Sequence, residues 1–121
     1  MNTTPTEYIE CCLLVEYLNI KNIKHAHIHN EMYTKSWKQK LKAKKLGVSS
    51  GVPDYLIFAS AEQTISKKPE IIFIEMKRQK GGTLSANQKE WLELLSSHSS
   101  VHTKVCKGFE PAKDFLETII S

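Results

Sequence analysis

The stretch that decides the fold is residues 51–77, GVPDYLIFASAEQTISKKPEIIFIEMK. Residues 55–59 and 71–74 are apolar runs rich in β-branched and aromatic side chains, so both read as strands. Side chains alternate between faces along a strand, which puts Ile71, Phe73, Glu75 and Lys77 on one face and Ile72, Ile74 and Met76 on the other. Glu75 and Lys77 are therefore neighbours. Pro53-Asp54 sets Asp54 at the entrance of the first strand. A hairpin across residues 60–69 would lay the start of the first strand beside the end of the second, and Asp54, Glu75 and Lys77 would converge.

Two carboxylates a few ångströms apart repel each other and form an oxygen cage suited to a divalent cation such as Mg²⁺. A lysine beside them stabilises developing phosphate charge or orients a water. Taken singly, Pro-Asp is also a common turn dipeptide and Glu-x-Lys a common solvent-facing pair. The weight lies in their coincidence at the adjoining ends of two apolar strands.

The 121 residues fit one domain with a modest core, and 40% hydrophobic with 25% charged residues are ordinary globular values. No apolar run approaches the roughly 20 residues of a spanning helix, and the N-terminal MNTTPTEYIE lacks a basic segment followed by an apolar one. The expectation is a cytoplasmic protein with no membrane partner. Cys11, Cys12 and Cys106 are odd in number and lack C-x-x-C spacing, which argues against zinc or a disulfide framework and for small core hydrophobes. Net charge is +4, and its distribution matters more. Lys35, Lys38, Lys40, Lys42, Lys44 and Lys45 cluster around Trp37 with no acidic residue among them. That is the footprint of a phosphate-backbone contact or of a solvated helix face.

Thr4-Pro5-Thr6-Glu7 reads as a helix start, with Thr4 as N-cap and Glu7 as its capping-box partner. Ile9, Leu13, Val15, Leu18 and Ile20, broadened by Leu14 and Tyr17, give this helix an apolar side to pack on a sheet. Residues 24–29 alternate His25, His27 and His29 against Ala26 and Ile28, as on an edge strand with its histidines in water or, alternatively, gathered on a metal. Residues 36–45 form a basic helix that Gly47 ends, and Gly51 allows unusual dihedrals or a close backbone approach. Arg78 to Thr83 is a basic glycine loop, and Ser85-Ala86-Asn87-Gln88 has capping-box spacing. A strand at 101–106 and a helix opened by Pro111 follow. The alternation of helices and strands implies an α/β sandwich around a mixed sheet.

G-V-P-D, an apolar strand, I-E-M-K, a glycine pair and S-A-N-Q, in that order, resemble the VRR-NUC branch of the PD-(D/E)XK nuclease superfamily. The resemblance spans most of the chain. It implies a restriction-endonuclease-like core, a mixed central sheet flanked by helices, in a single nuclease domain over residues 1–121. It further implies a DNA endonuclease dependent on Mg²⁺ or Mn²⁺, with Asp54, Glu75 and the Met76 carbonyl on the metal and Lys77 in catalysis. A carboxylate from the first helix belongs to that pattern, with Glu7 the better match and Glu10 in reserve. Gln88 stands at a motif position, so helix capping and contact with substrate or Lys77 are both open. Ser85, Arg78, Lys80 and the lysines of residues 35–45 would meet DNA. His29-Asn30-Glu31 is similar to the H-I-P-N-E element of phage-type members, with His29 in place of proline. Single-domain members imply a homodimer acting on branched DNA such as four-way junctions. The alternative is a nucleic-acid-binding module with this fold and no turnover.

Overall fold

The computed structural model describes residues 4–28 and 36–121. Its elements are α1 (Glu7–Ile20), β1 (Lys24–His27), α2 (Trp37–Lys45), β2 (Tyr55–Ala59), β3 (Glu70–Lys77), α3 (Ala86–Ser96), β4 (Val101–Lys107) and α4 (Phe109–Glu117). The four strands form one sheet in the order β1-β2-β3-β4. The first three are antiparallel, and β4 returns through α3 to lie parallel to β3, which makes the sheet mixed. Among the described residues no helix is long and apolar enough to cross a membrane.

The expected hairpin is present, with Tyr55 opposite Ile74 and Ile57 opposite Ile72. Because the pairs share a face, Tyr55, Ile57, Ile72, Ile74 and Met76 are buried together against Leu14 and Leu18 of α1 and Ala112 and Leu116 of α4. Each fully buried aliphatic side chain contributes roughly 1.5–3 kcal/mol of apolar burial. The core thus lies on one side of the sheet, while α3 packs beside β4 and reaches the face that carries Glu75 and Lys77.

Several local expectations are corrected. The N-cap of α1 is Thr6, whose hydroxyl accepts from the Ile9 N–H, so Thr4 and Glu7 form no capping box. The buried stripe of α1 is Glu10, Leu14 and Leu18, and Ile9, Leu13 and Ile20 are exposed. His25 and His27 pair with Ile57 and Tyr55 and share their face, where His27 stacks on the Tyr55 ring; His25 is half-buried, while His27 and Ala26 are both exposed. Helix α4 starts at Phe109, two residues before Pro111. Of the cysteines only Cys106 is a core residue, since Cys12 is exposed and Cys11 half-buried. His29, Asn30, Glu31 and Lys35 lie outside the described residues.

Candidate active site

Extending the β2–β3 register by one residue sets Asp54 opposite Glu75, and the side chains meet there. Asp54 Oδ2 accepts from the Met76 N–H at 2.9 Å, which fixes the carboxylate against the β3 backbone. Glu75 is 3% exposed, and its Oε2 lies 3.6 Å from Lys77 Nζ. Gln88 closes the network: Nε2 donates to Glu75 Oε2 at 3.2 Å, and Oε1 accepts from Lys77 Nζ at 3.2 Å. The same Oε1 accepts from the Ser85 N–H at 2.9 Å, and Ser85 Oγ accepts from the Gln88 N–H at 3.1 Å. Gln88 therefore both caps α3 and orients Lys77, so the two roles open in the sequence are combined.

Burial pushes the Glu75 carboxyl up to about 8, and the nearby Asp54 charge adds to that rise while Lys77 opposes it. Burial likewise raises Asp54, with the Met76 N–H and the shared contact with Glu75 opposing. Two carboxyls held together with raised pKa are a pair whose ionisation a cation would complete. Hard carboxylate oxygens suit Mg²⁺ or Mn²⁺, which keep several waters and need few protein ligands. Among the described residues no group of three or more His, Cys, Asp or Glu side chains is arranged to hold a metal, so the protein's own side-chain offer is the Asp54–Glu75 pair. Met76 is brought to the same place through its backbone.

The remaining predicted residues divide. Glu7 is exposed and lines a cavity of about 880 Å³ that Asp54, His27 and Tyr55 also line. Glu10 points elsewhere: its carboxylate accepts from the Phe109 N–H and from Gln79 Nε2 (2.9 Å), tying α1 to the start of α4 and to the loop leaving β3. Arg78, Lys80 and the described lysines of α2 are exposed. His27, read in the sequence as a wet-face residue or one of three histidines on a metal, stands beside this pair instead: its charge lowers the Asp54 pKa, and the β1–β2 register puts it opposite Tyr55.

The strand entrance is held by α3. Asn87 Nδ2 donates to Ser50 Oγ at 2.6 Å, Trp91 Nε1 donates to Ser49 Oγ at 3.3 Å, and Gly51 has φ +91° with its backbone against Asn87. A Cβ at Gly51 would stand 2.6 Å from the Asn87 carbonyl carbon. Gly51→Ala is expected to cost about 2–4 kcal/mol, from left-handed strain plus displacement of α3, read as a lowered Tm.

The VRR-NUC domain profile matches residues 9–110. The chain belongs to the VRR-NUC family. A solved structure described as a VRR_NUC domain protein is similar in fold, with a TM-score of 0.70 at 18% identity over 96% of this chain and 88% of that one. No curated protein sequence matches significantly. VRR-NUC membership implies a nuclease-type function with DNA as substrate, and the restriction-endonuclease-like core expected from the sequence is the fold observed.

Proposed function

We propose that the chain, as a single VRR-NUC domain, is a metal-dependent endonuclease that hydrolyses DNA phosphodiesters, with branched DNA such as four-way junctions as preferred substrate and a homodimer as working form. The observation that carries this reading is the Gln88 bridge, which holds Lys77 beside buried Glu75 and its half-buried neighbour Asp54 at the end of the sheet. Asp54 and Glu75, with the Met76 carbonyl, would hold Mg²⁺ or Mn²⁺. Such an ion polarises the phosphate and lowers the pKa of a bound water. Lys77 places a positive charge where the phosphate becomes more negative, and Gln88 keeps its ammonium aimed there. Glu7, opening on the same cavity as Asp54, supplies an outer carboxylate for a second ion or a water. Arg78, Lys80 and Ser85 at the β3 exit, with the lysines of α2, attract and seat the backbone without reading sequence.

The homodimer is supported by symmetry: two strands at a branch need two active sites, and a short chain has one. Purified protein incubated with labelled four-way junction, matched duplex and single strand is expected to nick the junction fastest with Mn²⁺ and to be silent with chelator. Salt-dependent binding without metal-dependent nicking would instead identify a binding module without turnover.

A further inference from the structure

Helix α2 has no buried residue, and only Ala43 is half-buried. A nine-residue helix is below the length that is stable on its own in water. Its ends hold it: Ser36 and Gln39 form a capping box, Lys42, Lys44 and Lys45 complement the C-terminal dipole, and Gly47 at φ +84° terminates it. Its other residues are exposed. Trp37 is 78% exposed and Leu41 41%, both on the side away from Ala43. Five lysines surround them, and among the described residues none has an ion-pair partner.

An exposed indole within a field of uncompensated lysines fits one occupant by chemistry, a nucleic acid strand. Phosphates answer the lysines, and a base face answers the indole. In an intact duplex the base faces are already stacked, so an indole gains a partner only where a base is released from its neighbours. The helix also feeds the active site directly. Its C-terminal strap, Ser49 to Gly51, is fastened to Asn87 and Trp91 of α3 and leads within three residues to Asp54.

We propose that Trp37 stacks on an unstacked base, so that α2 selects DNA carrying an unpaired nucleotide near the scissile bond. This rests on the nuclease reading above and names its substrate-selecting residue. The test measures binding by fluorescence anisotropy, in chelator, to a matched duplex and to the same duplex with one unpaired nucleotide. The wild type is expected to prefer the bulged duplex by about tenfold or more. Trp37→Ala should remove that preference while leaving matched-duplex affinity, its salt dependence and Tm unchanged, and Trp37→Phe should restore most of it. Replacing Lys40, Lys42 and Lys44 by Ala should weaken both duplexes alike and flatten the salt dependence. An undiminished preference in Trp37→Ala, with wild-type cleavage intact, overturns the stacking role alone. Absence of any salt-dependent DNA binding by the wild type overturns the nuclease reading and this inference with it.

Discussion

Asp54→Asn is expected to lower metal-dependent DNA cleavage by roughly a thousandfold or more, the loss of several kcal/mol of transition-state stabilisation. The substitution is nearly isosteric, and the amide oxygen can still accept from the Met76 N–H that Asp54 Oδ2 now engages at 2.9 Å. The sheet entrance should therefore stay in place. What is lost is one negative charge beside Glu75, and that charge is one reason the Glu75 pKa is raised. Glu75 should then ionise more readily, yet a single carboxylate is left to hold the cation. Circular dichroism and DNA affinity in chelator should match the wild type, while Mn²⁺ affinity falls. Equal cleavage rates in the two proteins would remove Asp54 from the site.

Stability of the metal-free protein should fall as pH rises from about 4.5 to about 8. In the unfolded chain Glu75 titrates near 4.5, whereas in the fold it titrates at about 8. Between those values the folded state binds more protons than the unfolded one, so each step up in pH favours unfolding, and the loss is complete above about 8. Asp54, also raised by burial, adds in the same direction. Glu75→Gln removes the main contributor and should be more stable than the wild type at pH near 8.5 by on the order of 1–3 kcal/mol, while losing cleavage. Thermal melts across that pH range read the difference directly. A flat wild-type profile would deny that burial raises the Glu75 carboxyl. Added Mn²⁺ should restore wild-type stability at the alkaline end by binding the folded state alone, and should do little for Glu75→Gln.

The β2–β3 hairpin was legible because strand alternation and antiparallel pairing are rigid rules: with Tyr55 opposite Ile74, Asp54 faces Glu75. The cap of α3 was equally legible, since Ser85 with Gln88 is a local pattern that needs no tertiary knowledge, whereas the Ser36–Gln39 box of α2 went unread. The family resemblance marked Gln88, but only the fold shows one oxygen serving both the Ser85 N–H and Lys77. The misreadings arose where two local signals competed. Thr4 and Thr6 both offer caps, and Thr6 prevails, with its oxygen on the Ile9 N–H. Glu10 stood in reserve as the first-helix site carboxylate, on the same side as Glu7, yet it is 4% exposed because two donors, Phe109 N–H and Gln79 Nε2, satisfy it from segments distant in the chain. No periodicity carries such partners. The histidines of β1 were read as the wet face of an edge strand; β1 is the edge and His27 is exposed, but their face is the one that Tyr55 and Ile57 share, and His25 is half-buried there.

Anomalous scattering from a crystal soaked in Mn²⁺ above pH 8, where Glu75 is ionised, tests the site most directly. A peak between the Asp54 and Glu75 carboxylates, within reach of the Met76 backbone and lost in Glu75→Gln, is expected. Metal bound only elsewhere, at His25 and His27 for example, or no peak at the pair in the wild type, would contradict it.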